Sequence, residues 1–408
     1  MKLYMPAIIV AALCVATSCD KGGSGKNGPL AKAKPIVLEL PAKMATDNSF
    51  ALDIFKTTCA EEEGNAFISP LSISMALNMV VNGARGETKE QMLEALRAGD
   101  YTLDEINSYS QELRKALLAV DPSTVINIAN SIWYRNGYSV NPDFISTNKS
   151  YYEAEVRGLD FSSPDAVKTI NGWCSQKTHG RIDKIVEEIS PDMVMYLINA
   201  VYFKGIWVSP FDKKNTSKHD FTNAEGQTRQ VDMMRQKEHF NYGSDEDAAY
   251  LELPYGNEAF SMLLVLPRAD KTTGDVVAKL DNAYWNEIQE RMADTEVNLG
   301  LPRLKVECEF KLHEEILPRM GMVIPFQPFD ADFSGIGGGN LTISEVIHKT
   351  FLEINEEGTE AAAVTSVGME VTYAPVPVDF VVNRPFLLAI KENSTGVILF
   401  MGRIDDIN

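Results

Sequence analysis

The alternation of apolar and polar residues changes period along the chain. Leu71, Ile73, Leu77, Val80 and Val81 recur at helical spacing, with Ser69 placed as a cap and Pro70 in the first turn. The pattern predicts a helix that starts after Ser69 and that Gly83 ends. Thr88 with Gln91 has the form of a capping box and predicts a second helix stopping near Gly99. Farther on the period becomes two. Lys305 to Leu312 alternates strictly, as a strand with one buried and one wet face does. Ser261 to Leu266 reads as a more fully buried strand, and Phe351 to Asn355 as another. Pro385 to Ile390 and Val397 to Ile404 flank a polar turn containing Asn393 and Gly396, which predicts a buried hairpin. Helix and strand signals intermix, with no internal repeat and no second linker after about Pro35, so the expectation is one α+β domain.

The start of the chain reads differently. Lys2 precedes an apolar run from Met5 to Ala16, too short to span a bilayer but suited to a signal-peptide core. It ends in Ala16-Thr17-Ser18-Cys19, which resembles a relaxed bacterial lipobox with Ala16 where leucine is common. The resemblance implies a signal peptide over residues 1–18, cleavage before Cys19 and lipidation of its thiol, hence an extracytoplasmic lipoprotein of the outer membrane. A plain secretory signal is the other reading. Residues 19–35 are rich in Gly, Lys, Ser and Asn, as a flexible tether is, leaving 36–408 for the folded domain.

Composition narrows the chemistry. Hydrophobic residues make up 45% of the 408 and charged residues 23%, enough for a sizeable core. The balance of 38 Lys and Arg against 57 Asp and Glu repels a polyanion, so nucleic acid is not an expected partner. Cys14 lies in the leader; Cys59, Cys174 and Cys308 are far apart and odd in number, so no disulfide framework or metal site is expected from them. No Gly-x-Ser-x-Gly elbow occurs, and His313-Glu314 lacks the second His of a zincin. Ser146-x-x-Lys149 stands without partner motifs. Asp330-x-Asp332-x-Ser334 begins like a calcium loop but has Leu341 where a bidentate Glu is required. The five histidines are scattered singly. No enzyme constellation emerges, and no cofactor or metal is expected.

The segment from Phe351 to Arg384 is unusual. After the strand signal come Glu356-Glu357-Gly358-Thr359-Glu360-Ala361-Ala362-Ala363, then a stretch of small and β-branched residues to Thr372. At a period of two, Thr359, Ala361, Ala363, Thr365, Val367, Met369 and Val371 share one side, and Glu360 and Glu370 the other. The segment is written as an amphipathic strand whose first inward residues are small. Pro375 and Pro377 then forbid a regular central strand. On this segment alone a mobile Ala-rich surface loop reads equally well.

Residues 356–363 closely resemble the hinge of the inhibitory serpins. Asn65-Ala66-Phe67-Ile68-Ser69-Pro70-Leu71-Ser72-Ile73, Asn199-Ala200-Val201-Tyr202-Phe203-Lys204-Gly205-Ile206-Trp207, Asn383-Arg384-Pro385-Phe386 and Phe400-Met401-Gly402-Arg403 are similar to further signatures of that family, in its order. The resemblance implies the serpin fold: three β-sheets and about nine helices in one domain, with an exposed reactive-centre loop over about 356–382. It implies suicide-substrate inhibition. A protease attacks the loop, forms an acyl-enzyme, and is dragged to the far pole as the cleaved loop enters sheet A. At about 3.3 Å per residue, fifteen residues carry it roughly 50 Å. It also implies a shutter at Ser69, Ser72, Asn199 and His348, with His348 structural rather than catalytic, and a breach at Trp207. The partner is a target protease and the chain a monomer; a non-inhibitory serpin that binds or carries a ligand is the alternative.

In that family the scissile bond usually follows the first hinge Glu by sixteen residues, which puts Thr372 before the bond and Tyr373 after it. Counting back from Asn383 gives Ala374–Pro375 instead, and Val371–Thr372, Met369–Glu370 or Tyr373–Ala374 also remain open. No Lys or Arg occurs between Thr350 and Asn383, so a trypsin-like pocket with its buried carboxylate finds no cation. Elastase-, subtilisin- or chymotrypsin-like serine proteases, and papain-like cysteine proteases through Val371, fit better.

Overall fold

The structure is a computed structural model that describes residues 30–190, 192–338, 341–359 and 376–407. Cys19, Glu360, Ala361, Ala362, Ala363, Met369, Val371, Thr372, Tyr373 and Ala374 lie outside the described residues. Lys32–Asn408 forms one compact unit.

The first half is mainly helical, and includes α1 (Pro41–Glu61), β1 (Ala66–Ile68), α2 (Pro70–Val81), α3 (Gly86–Ala95), α4 (Leu103–Ala119), β2 (Val125–Arg135), α5 (Pro142–Tyr152), β3 (Glu155–Leu159) and α6 (Pro164–Lys177). Strands dominate thereafter: β4 (Met195–Ile206), β5 (Ser217–Thr222), β6 (Thr228–Ser244), β7 (Ala248–Tyr255) and β8 (Phe260–Pro267). Two short helices, α7 (Thr273–Lys279) and α8 (Asn282–Glu290), precede β9 (Ala293–Pro302), β10 (Leu304–Lys311), α9 (Ile316–Arg319) and β11 (Ile347–Ile354). The chain closes with β12 (Gly358–Thr359), β13 (Val378–Val381), β14 (Phe386–Glu392) and β15 (Ile398–Ile404).

Period and burial agree where the sequence pattern is strong. The even members of β10 are buried and the odd ones exposed. Every residue of β8, β14 and β15 is buried, because these strands lie inside a nine-stranded sheet of order β1-β15-β14-β8-β7-β6-β9-β13, with β5 on β6. The expected C-terminal hairpin is β14–β15, turned at Gly396 with φ +71. Ser69 caps α2 by accepting from Ser72 N. The second expected helix needs correction: α3 starts at Gly86, after Arg85 rather than Thr88, and ends at Ala95. The would-be capping side chains are used elsewhere. Thr88 Oγ1 accepts from Asp332 N at 2.8 Å, and Gln91 Oε1 accepts from the amides of Val323 and Ile324.

The feature that positions the site is a divided sheet. β3, β2 and β4 form one half, and β10 with β11 the other. β11 runs beside β4, yet among the described residues no ladder joins them. The front of the first half is covered by α6 and the chain after it, through a core of Trp133, Ile170, Trp173, Ile182, Tyr196 and Ile198.

Candidate functional site

The chain leaves β11 at Asn355, turns, and comes back into the space between the two half-sheets. Asn355 bridges Gly358, and β12 then pairs with β4 in the antiparallel sense, Gly358 opposite Ile206 and Thr359 opposite Gly205. The first hinge residues are therefore inside the fold rather than in an exposed loop: Glu356 is 2% exposed and Thr359 4%. Only glycine suits position 358. Its φ is +145, and a Cβ there would meet the Gly205 carbonyl oxygen at 2.1 Å. Thr359 shares a hydrogen bond with the Tyr255 hydroxyl at 2.8 Å.

Trp207, at the end of β4, holds the turn. Its indole Nε1 donates to Asn355 O at 3.0 Å, its amide donates to Glu357 O at 3.0 Å, and its ring stacks on Tyr255 at 4.4 Å. Glu356 and Glu357 are each matched by a cation. Arg303 grips Glu356 through Nε at 3.0 and 3.1 Å and through Nη2 at 2.6 Å, and Thr216 Oγ1 donates to the same carboxylate at 2.6 Å. Burial pushes the Glu356 carboxyl up, but the Arg303 and Thr216 hydrogen bonds outweigh it and hold the group below the ordinary range. Lys213 pairs with Glu357 at 2.6 Å, and that hydrogen bond raises the lysine.

The residues that the family resemblance assigns to a shutter also meet. His348 of β11 accepts the Ser69 amide on Nε2 at 2.9 Å, and Ser69 Oγ donates to Leu399 O at 2.8 Å. Ser72 Oγ donates to Asn199 Oδ1, Asn199 Nδ2 donates to Asn130 Oδ1, and Asn130 Nδ2 to Tyr152 O at 2.9 Å. Helix α2 thus touches both half-sheets through polar contacts, Asn199 of β4 on one side and His348 of β11 on the other. Burial alone pulls the His348 ring from 6.5 to about 3, so it is neutral at physiological pH and serves as an acceptor. The three described cysteines take no part: burial pushes Cys59 and Cys174 up to about 12 and Cys308 to about 11. Among the described residues no group of three or more potential ligands could hold a metal ion.

Ser69, Ser72, Asn199, His348, Trp207 and hinge residues 356–359 accordingly fall at two levels of one cleft. The sequence reading missed the hinge's counter-ions Arg303 and Lys213, the donor Thr216, the stacking partner Tyr255 and the linking Asn130. The one available signal was the pair Glu356-Glu357 itself, since carboxylates next to a buried strand demand cations, but nothing in the sequence says which.

A sheet parted down the middle, with a segment of the same chain beginning a new strand in the gap, is the arrangement of a particular protein family. The chain belongs to the serpin family: the family model described as serpin (serine protease inhibitor) matches residues 45–407. It is 38% identical over 367 residues to the leukocyte elastase inhibitor of Xenopus laevis, covering 87% of this chain and 96% of that protein. The native state of tengpin, a thermophilic serpin, superposes with a TM-score of 0.84 at 34% identity, over 94% of this chain and 97% of that one. Human thyroxine-binding globulin complexed with thyroxine gives 0.83 at 29% identity, over 90% and 99%. Members of this family are protease inhibitors that form complexes with target proteases, not enzymes.

Proposed function

We propose that this chain is an inhibitory serpin that traps an elastase-, subtilisin- or chymotrypsin-like serine protease as a covalent acyl complex, by drawing its cleaved loop into the gap between β4 and β11. One observation carries the reading: β12 enters that gap in the antiparallel sense and pairs with the free edge of β4. Continued in the same register, Thr365 would pass between Asn199 and His348, and the twelve-residue edge of β4 would be filled by residue 369. Small side chains at Ala361 and Ala363 suit rapid insertion, because a charge facing inward there would be buried unpaired at a cost of several kcal/mol. Insertion has to outrun hydrolysis of the acyl-enzyme, so the hinge sets whether the chain inhibits or is merely cut. The scissile bond we assign is Thr372–Tyr373, and papain-like enzymes are a second target class through Val371. Lipidation at Cys19 would tether a monomer to a membrane outside the cytoplasm through residues 20–35.

The test mixes the chain with neutrophil elastase, subtilisin and trypsin, followed by denaturing gels and mass spectrometry of the released C-terminal peptide. The expected result is a heat-stable covalent band with elastase or subtilisin and a peptide that starts at Tyr373. Tight inhibition of trypsin by cleavage inside the loop would overturn the specificity assignment. Loop cleavage without a covalent band across a broad protease panel would overturn the inhibitory reading in favour of a carrier serpin, the role that thyroxine-binding globulin's name describes. Globomycin-sensitive processing and labelling with a palmitate analogue, lost in Cys19→Ala, would test the anchor.

A further inference from the structure

A cavity of about 570 Å³ lies between α4, β2, the junction of α5 with β3, and α6. Arg114 of α4 lines it with its side chain only 5% exposed. Its ion-pair partner there is Glu153, which is 63% exposed and stands at the left-handed end of α5 with φ +48. The guanidinium Nε is buried and has no hydrogen-bond partner. Trp173 of α6 lines the same cavity, and its indole Nε1 is likewise buried without an acceptor. Leu118 and Ile128 add apolar wall, and Leu118 is 41% exposed. The cavity therefore sets two buried donors short of acceptors beside the exposed Leu118, in a mixed lining that also carries Glu155, Gln176 and Lys177. An exposed carboxylate such as Glu153 holds an arginine weakly, because water screens it, and a competing anion can take its place.

We propose that this cavity binds an organic anion with an apolar body, an alkyl carboxylate being the simplest, with the carboxylate on Arg114 in place of Glu153 and the chain against Leu118, Ile128 and Trp173. Such a ligand also touches the moving sheet. Asn130 lines the cavity and links Asn199 of β4 to the Tyr152 carbonyl. A ligand here ties β2 to α4 and α6 and so restrains the half-sheet whose gap with β11 has to admit the loop. This regulatory half rests on the insertion reading above; the binding half does not.

Decanoate is the probe and decanol its uncharged control, titrated calorimetrically into the full chain, with tryptophan fluorescence as a second readout. The expected result is one decanoate per chain with decanol silent, binding weakened about tenfold in Arg114→Gln, and binding strengthened in Glu153→Gln, which removes the competing carboxylate from an exposed position. Equal binding of decanoate and decanol, or unchanged binding in a folded Arg114→Gln, overturns the site. Should Arg114→Gln not fold, Leu118→Asp at the rim replaces it and must weaken decanoate; no change overturns the proposal. Saturating decanoate should slow covalent complex formation and increase the fraction of chain merely cleaved. Binding without that slowing overturns the regulatory half alone, whereas absence of any covalent complex in ligand-free chain bears on the inhibitory reading and leaves the calorimetry to judge the cavity.

Discussion

Arg303 is the counter-ion of a carboxylate that folding has taken out of water. Glu356 is 2% exposed while the Arg303 side chain is 44% exposed, so the pair is solvated on one side only. Removing the arginine leaves a buried charge with Thr216 as its remaining side-chain donor. Arg303→Ala should therefore destabilise the native state by roughly 2 kcal/mol, less than the roughly 3–5 kcal/mol of a fully buried pair because its outer face is wet. Glu356→Gln should cost less, since Arg303 can turn to water. Thermal melts of the two variants check the order, and an equal or reversed loss would mean that the pair does not hold the turn. His348 makes a second prediction. A ring that titrates near 6.5 unfolded and near 3 folded gains its proton first in the unfolded chain. The native state keeps this stability above pH 6.5 and loses it as pH falls toward 3, by about 1.4 kcal/mol per unit. At pH 4.5 the loss is roughly 3 kcal/mol. Melting points at pH 7 and 4.5 should drop further for the parent chain than for His348→Gln, whose amide oxygen can still accept from Ser69. Residues of this kind were legible unevenly. Ser69, Ser72, Asn199 and Trp207 sit in long recognisable motifs and His348 came only with the family resemblance, whereas Arg303, Lys213 and Asn130 act only through where the fold brings them.

Among the elements, β12 is the one whose sequence states its purpose only in context. Its two residues pair with β4, and the turn before them depends on a glycine with φ +145 and no room for a Cβ. Gly358→Val should push the hinge off β4 and slow insertion, so that more chain is cleaved per protease trapped, several-fold more on denaturing gels. An unchanged ratio of complex to cleaved chain would mean that insertion does not begin at this turn. The strong periods elsewhere translated directly: strict alternation became β10 and unbroken apolarity became β8, because the period reports how many faces are buried. The start of α3 was misread for a physical reason. A capping box is a local pattern, and here its two polar side chains satisfy amides of distant segments at Asp332, Val323 and Ile324, while the helix begins at Gly86 without a side-chain cap. Strand β11 starts four residues before the apolar signal at Phe351, its buried members at 348 and 350 being His and Thr rather than aliphatic. Those polar residues are buried because each has a partner in the first half of the chain, Ser69 for His348 and the Phe67 carbonyl for Thr350.

For the molecule as a whole, the insertion proposed above makes the divided sheet a store of free energy. The edge of β4 offers twelve positions, two of them taken by β12, and β11 presents a second edge across the gap. A single segment laid between them makes two ladders while only one segment is ordered, and each ladder bond adds about 1 kcal/mol net against an ordering cost of about 1–2 kcal/mol per residue. Inward Ala361, Ala363, Thr365 and Val367 would add apolar burial on the same segment. In the proposed mechanism, cleavage releases the segment that follows β12 from its connection to β13 and lets it fill the gap. Limited subtilisin cleavage between residues 360 and 375 should therefore make the protein harder to melt. A rise of about 10 °C would correspond to roughly 8 kcal/mol for a unit of this size. Circular dichroism melts before and after cleavage measure it directly, without needing the physiological protease. If the melting point does not rise, the gap does not accept the loop, and trapping fails on thermodynamic grounds. If it rises although no protease is held covalently, insertion is favourable but slower than deacylation, and the fault lies in the hinge and not in the sheet.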